Sequence, residues 1–358
     1  MDRKRSREGI YHPLGWLKLS PEDDKWPLLS RAWVFQERML SPRFLHVGWP
    51  ELRWECRESS SCQCGDAGAE EKSAKLAYSA VLTPSDDEKT DLEQQRRDLI
   101  EQYSMLKITY GADRLPAFSG FAKGIVGEAG ESNFMAGLFR DSLLVDMVWR
   151  IDDVYYPPNE GGRGDPQAPS WSWASADHAV RFPMSRIQGP HAKGGSLLET
   201  YAELVDTLYI PDTADPTGRV RYGIIRIRGR VFDCQVSGRS LSFASSDPDD
   251  AASPLKLSSR EDQSVIRWGY VFPDKVLPEG SMAPVVCLRF ARFKIMEQDE
   301  LEKREPEEEY SLLLQPVEES PGRYKRVGVF RQDIRTSRGE TQSSSLASGG
   351  REEVLTIV

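Results

Sequence analysis

The sequence predicts an α+β protein, with an α-rich first half and a β-rich second half. Three observations carry this. Apolar residues within 31–150 recur at helical spacing. From residue 170 onward the runs become β-branched, aromatic or alternating. Between them lies a Pro- and Gly-rich loop, PPNEGGRGDPQAP, at 157–169.

Residues 1–29 read as loop anchored by Trp16 and Trp26. Ser30 is placed to cap a helix that begins at Arg31. Pro42 disfavours helical geometry at Ser41 and ends that helix. FLHVGWPELRWECRE (44–58) predicts one or two short strands with a turn at 48–50. Residues 58–90 are rich in Ser, Gly, Glu and Lys and read as a polar variable loop. A long helix over 91–107 follows, with Leu92, Leu99, Ile100, Tyr103 and Leu106 on one stripe. Thr90 and Glu93 have capping-box spacing for it. ADRLPAFSGFAKGIVGEAG (112–130) predicts a second helix, capped by Asp113 with Pro116 in its first turn. Its glycines, 120, 124, 127 and 130, lack phosphate-loop spacing and read as small contacts along a helix. RDSLLVDMVWR (140–150) predicts a third helix.

In the second half the strand candidates are SWSWAS, VRYGIIRIRGRVFDC, VIRWGYVFP, PVVCLRFARFKI, YSLLLQPV, RYKRVGVFR and EVLTIV. Polar loops at 236–263 and 336–351 interrupt them. The chain thus divides into 1–57, a loop at 58–90, a helical region at 91–165, a β-rich region at 166–335, and a loop with a final strand at 336–358.

Composition narrows the function classes. The 358 residues are 39% hydrophobic and 29% charged, with a net charge of −9 and a pI near 5.3. An acidic chain without an extended basic patch is a poor nucleic-acid binder. No run of about 18 apolar residues predicts a spanning helix, and the first residues lack a secretory signal's apolar centre. Five unevenly spaced cysteines point to a reduced, cytoplasmic protein rather than a disulfide scaffold.

Candidate chemistry centres on RAWVFQERML (31–40). On a helical wheel Ala32, Trp33, Phe35, Met39 and Leu40 share an arc that contains Gln36, with Glu37 at its edge and Arg31, Val34 and Arg38 mostly opposite. Gln36 is therefore expected to need hydrogen-bond partners. A carboxylate at an apolar rim suits a catalytic acid or base; a Glu paired to an Arg is the plainer reading. Cys56, Cys62 and Cys64 with His46 lack zinc-knuckle spacing, and Cys56 is expected to pack beside Trp54. Trp171 and Trp173 would share a strand face as core anchors. Asp177 and His178 form a lone pair with no nucleophile. No P-loop, G-x-G-x-x-G, G-x-S-x-G or H-E-x-x-H pattern occurs. No cofactor or metal is expected.

PLLSRAWVFQERMLSPRFLHVGWPELRWECRE (27–58) resembles the last block of the fungal heterokaryon-incompatibility (HET) domain and the segment after it. Arg31, Ala32, Trp33, Gln36, Glu37, residues 40–43 and Trp54 to Cys56 carry the likeness. It continues in IEQYSMLKITYGADRLPAFSGFA, where Asp113 and Arg114 open the Asp-Arg-Leu-Pro-Ala pattern, then in FMAGLFRDSLLVDMVW, in APSWSWAS with Trp171 and Trp173, and in YSLLLQPVEESPGRYKRVGVFR. The ordered series spans most of 27–330. The resemblance implies a fungal protein of non-self recognition and cell death, acting through protein partners. It also implies that the first part is the remnant of a TIR-like α/β domain. Some such domains cleave NAD with a glutamate, which makes Glu37 the catalytic candidate and NAD the substrate of an alternative, enzymatic reading. A non-catalytic interaction module is a further alternative. The family's two earlier blocks, with Leu-Ser-Tyr-x-Trp-Gly and Cys-Ile-x-Gln patterns, have no counterpart before Arg31. The chain is thus expected to be a truncated form without catalytic activity, with its Trp33 face uncovered.

Overall fold

The computed structural model describes residues 27–48, 51–63, 74–82, 92–126, 130, 133–151, 168–176, 178–183, 195–238, 255–260, 269–274, 282–295, 307–334, 336–337, 340–341, 346 and 349–358. The remaining parts of the expected loops, together with Trp16, Trp26, Cys64 and Asp177, lie outside the described residues.

The first half is built from short elements. A 3-10 turn, Pro27–Ser30, leads into α1 (Ala32–Leu40). Ser30 does not cap this helix. Its hydroxyl donates to Pro27 O at 2.8 Å, and Arg31 takes the N-cap position without a side-chain bond. Ser41 ends the helix, its N–H and hydroxyl both donating to Glu37 O. The hairpin expected at 44–58 becomes a three-stranded antiparallel sheet, β1 (Arg43–Val47), β2 (Leu52–Cys56) and β3 (Ser60–Cys62).

α2 (Ala74–Leu82) occupies part of the segment expected to be polar loop. Its apolar Ala74, Tyr78 and Val81 are buried, an eight-residue amphipathic signal drowned by the charged residues around it. α3 (Leu92–Ser104) and α4 (Arg114–Val126) stand where expected. The expected third helix contracts to α5 (Leu143–Asp146), flanked by two-residue strand pairs. These are β4 (Phe134–Met135) with β5 (Leu138–Phe139), and β6 (Arg150–Ile151) with β7 (Val180–Arg181).

The second half contributes β8 (Gly195–Thr200), β9 (Glu203–Pro211), β10 (Val220–Gly238), β11 (Leu255–Ser259), β12 (Gly269–Pro273), β13 (Met282–Ile295), β14 (Glu307–Pro316), β15 (Arg323–Ile334), β16 (Thr336–Ser337), β17 (Glu340–Thr341) and β18 (Arg351–Ile357). Nine of them form one sheet among the described residues, with β16 and β17 paired separately. β10 is long enough to serve two neighbourhoods. Its first part pairs with β9 and β18, its last part with β11 and β13. The pairings β10–β18–β15–β14–β13–β10 close a ring of five strands. An up-and-down order cannot alternate around an odd ring, so one neighbouring pair must run parallel. That pair is β15–β18, joined over only two residue pairs.

This architecture overturns the α+β expectation with an α-rich first half. Among the described residues strands account for 48% and helices for 27%, with five α-helices. The first half is itself a mixture of short helices and antiparallel strand pairs. Its named strand pairings, all antiparallel, do not repeat the parallel βαβ order of a TIR-like domain. Helical periodicity holds in α1, α3 and α4, but within 134–151 only Leu143–Asp146 is helical, while 134–135, 138–139 and 150–151 pair as strands.

One core joins the halves. Phe35, Phe118, Phe121, Trp149, Trp171 and Trp173 share a cluster with Ile225, Leu288, Phe290, Leu312 and Ile357. Neighbouring strand residues such as Cys234, Val285, Cys287, Leu313 and Phe330 build a second cluster on the opposite face. The alternation of the strands thus feeds two cores.

Candidate functional site

The helix α1 presents its residues differently from the wheel. Phe35 and Met39 are buried as expected, but so is Arg38, at 2% exposure, while Trp33 and Leu40 are exposed. α1 is covered on the Arg38 side by the sheet β1–β2, so that side is interior too. Gln36 turns inward and its Oε1 accepts the N–H of Gly120 at 2.9 Å. Glu37 is exposed. The buried carboxylate paired to an Arg is Glu55.

Glu55, on β2, is 1% exposed. It receives Arg38 in a two-pronged bond, Nε to Oε2 at 2.6 Å and Nη2 to Oε1 at 2.5 Å. His46 on β1 meets the same Oε2 through Nε2 at 3.1 Å. The register places His46 and Glu55 diagonally on one face of the hairpin, since Phe44 opposes Glu55 and His46 opposes Arg53. Lys75, in the first turn of α2, is fully buried and its ammonium donates to the carbonyls of Arg38 and Ser41. It thereby satisfies acceptors that the end of α1 leaves open.

Burial would push the Glu55 carboxyl up; the Arg38 charge, aided by bonds from His46 and Arg38, outweighs burial and holds it at about 2. Burial pushes the Lys75 ammonium down to about 8, only partly offset by the Glu55 charge. Glu55 is therefore a fixed anion at neutral pH. It locks α1 to the hairpin and has no proton to exchange there.

Cys56 does not pack as an inert thiol. Its Sγ sits 3.5 Å from Ser59 Oγ and accepts the N–H groups of Glu58 and Ser59, contacts that lower its pKa with the Ser59 hydroxyl foremost. Cys62 ends β3 and is disulfide-bonded, against the reduced-thiol expectation. Trp54 is half-buried opposite Leu45. The described residues hold no group of three or more His, Cys, Asp or Glu side chains placed for a metal.

The remaining motif residues are packing keystones. Asp113 closes a 3-10 turn before α4 and pairs with Arg219 at 3.1 Å. Buried Arg114 donates to Ala176 O, and Tyr103 donates to Arg114 O at 2.6 Å. Trp171 and Trp173 are fully buried core anchors, but not on a strand. Their segment is a turn followed by a 3-10 helix, Trp173–Ser175, because the Ser172 hydroxyl accepts from Ala174 N and caps it. Trp173 donates to Gly137 O at 2.8 Å, and Trp149 donates to Trp171 O at 3.0 Å. Buried pairs on α3 went unread in the sequence: Arg97 with Asp146 at 2.6 Å, and Glu101 with Arg181 at 3.1 Å. A signal existed only for the first of them, in the i,i+4 spacing of Glu93 and Arg97.

Outside this cluster lies an apolar surface. Leu45 is 56% exposed, Val47 79% and Leu52 44%. With half-buried Trp54 they form the cross-strand pairs Leu45–Trp54 and Val47–Leu52, opposite in face to His46 and Glu55. Among the described residues no helix is long and apolar enough to cross a membrane.

Fold and site together define a predominantly β protein whose helix α1 is tied to the β1–β2 hairpin by a buried Arg38–Glu55–His46 cluster with Lys75 beside it, beneath an exposed apolar sheet face. Comparison with known proteins returns no matching family model, no matching curated protein and no matching solved structure.

Proposed function

We propose that the chain is a HET-like protein of fungal non-self recognition that acts in the cytoplasm by binding a protein partner, without catalysis of its own. The ordered motif series supports the family reading. The observation that carries the binding reading is the face formed by Leu45, Val47, Leu52 and Trp54. An exposed apolar patch on a sheet whose other face is locked by ion pairs is the surface expected of an interaction module. The organised carboxylate, Glu55, is neutralised by Arg38, and Glu37 stands exposed, which favours binding over NAD cleavage.

The test is expression of the chain in a filamentous fungus, scoring cell death with a viability dye. Wild type should kill, and a Val47→Asp/Leu52→Asp variant with an unchanged circular dichroism spectrum should not. Undiminished killing by that variant would refute the binding reading. Killing that depletes NAD and disappears in Glu37→Ala would replace it with the enzymatic one.

A further inference from the structure

The β-rich half contains a second feature, independent of the first-half reading. A cavity of about 490 Å³ opens between the Pro169–Ser170 turn and strands β10, β12, β13, β14 and β15. That volume lies within the usual range of small-molecule sites. Its walls are apolar, and Val236, Val271, Val285 and Leu313 are all buried members of the second core cluster.

One lining side chain is out of keeping with such walls. Arg326 is fully buried. Its guanidinium lies 3.4 Å over the ring of Trp149, and Nη2 donates to Trp149 O. Nη1 is 3.1 Å from Asp274 Oδ2, an ion pair outside hydrogen-bond geometry. Nε and Nη1 make no hydrogen bond among the described residues. A buried guanidinium with two nitrogens that donate to no acceptor among the described residues costs free energy unless something accepts from them. At the rim stands Lys325, exposed and directly opposite Gln315. The lining side chains include two cations, Arg326 and Lys325, and one carboxylate, Asp274, and Val358 also lines the cavity.

We propose that this cavity binds a small monocarboxylic acid with an apolar body, its carboxylate held by Arg326 and Lys325 and its body by Val236, Val271, Val285 and Leu313. With Nη2 committed to Trp149 O, Arg326 offers the carboxylate a single charge-assisted N–H bond, from Nε or Nη1, and Lys325 supplies the second cation. The apolar walls select against small hydrophilic anions. The turn that carries Ser170 closes one side, since the Ser170 hydroxyl accepts Arg326 N–H at 2.9 Å and donates to Val358 O.

Calorimetric titration of the whole chain with decanoate, and with decan-1-ol as the uncharged match, tests this. Decanoate should bind, with the alcohol roughly tenfold weaker or more. Lys325→Gln should weaken decanoate several-fold without altering the alcohol, and Ala283→Phe should abolish binding by filling the cavity. Equal affinity for acid and alcohol overturns the proposal, as does the absence of decanoate binding. Should Ala283→Phe fail to fold, magnetisation transfer between decanoate and the methyls of Val271 and Val285 locates the ligand. Its absence there also overturns the proposal.

Discussion

Gln36 Oε1 accepts the backbone N–H of Gly120 at 2.9 Å, across 84 residues of sequence. A Cβ added to Gly120 would lie 2.6 Å from Gln36 Cδ and 2.7 Å from its Oε1. Two segments far apart in the sequence, the α1 motif and the α4 motif, therefore fit each other at this contact. Gly120→Ala should destabilise the fold by about 1–3 kcal/mol through overpacking. Gln36→Ala should cost about 1 kcal/mol, by removing an acceptor. The double variant should be more stable than the sum of the two losses predicts, because the clash disappears with Gln36. Urea unfolding of all four proteins measures this coupling, and strict additivity would sink the contact.

Glu37 and Glu55 have opposite sensitivities. Glu37→Gln, on an exposed surface, should change stability by less than about 0.5 kcal/mol. Glu55→Gln strands Arg38 in the interior and should cost about 3–5 kcal/mol. Replacing both members, as Arg38→Met with Glu55→Leu, should recover much of that loss. Thermal unfolding ranks the variants; equal melting temperatures for the two Glu→Gln proteins would refute the assignment of the buried carboxylate.

Legibility in the sequence followed the length of each signal. α3 and α4 carry three turns of apolar spacing, and both stand where that spacing puts them. α2 shows barely two turns inside a charged stretch and was hidden. Gln36 was readable as an inward polar group because Phe35 and Met39 fix the inner arc. Arg38 was not, because a wheel cannot know that a sheet covers the far side of the helix. His46 and Glu55 meet through hairpin register, which turn chemistry at 48–50 left open. The five-strand ring was unreadable for a related reason: its closure rests on β10 changing partners midway and on two parallel residue pairs between β15 and β18.

Acid unfolding should report Glu55. Its carboxyl is held at about 2 against an ordinary 4.5, so the folded state binds fewer protons between those values. The stabilisation is fully present above pH 4.5 and is lost as pH falls towards 2, with a magnitude of about 3 kcal/mol. The stability difference between wild type and Glu55→Gln should therefore shrink across that window. A difference that stays constant from pH 5 to pH 2 would contradict the ion pair.

Trp173 and Gly137 form a second keystone. Gly137 has φ +89°, and a Cβ there would lie 2.6 Å from Trp173 Nε1. Gly137→Ala combines left-handed backbone strain with a collision against a buried indole. It should lower stability by about 2–4 kcal/mol. Trp173→Phe removes the bond to Gly137 O and some volume, and should cost about 1–3 kcal/mol. If calorimetry finds Gly137→Ala neutral, the turn at 136–137 does not have the geometry described.

Lys75 should give the opposite pH dependence to Glu55. Burial lowers its ammonium to about 8 from an ordinary 10.5. Between these values the unfolded chain binds the proton more readily than the folded one, so stability attributable to Lys75 rises with pH. The unfavourable contribution is complete below pH 8 and is relieved by pH 10.5. Tyrosines titrate nearby in pH, so the comparison must be with Lys75→Met rather than with wild type at another pH. Urea unfolding from pH 7.5 to 10.5 should show wild type gaining on Lys75→Met throughout. A stability of wild type minus that of Lys75→Met that stays flat or falls with pH would mean that the carbonyls of Arg38 and Ser41 hold the ammonium in its charged form at least as strongly as burial opposes it.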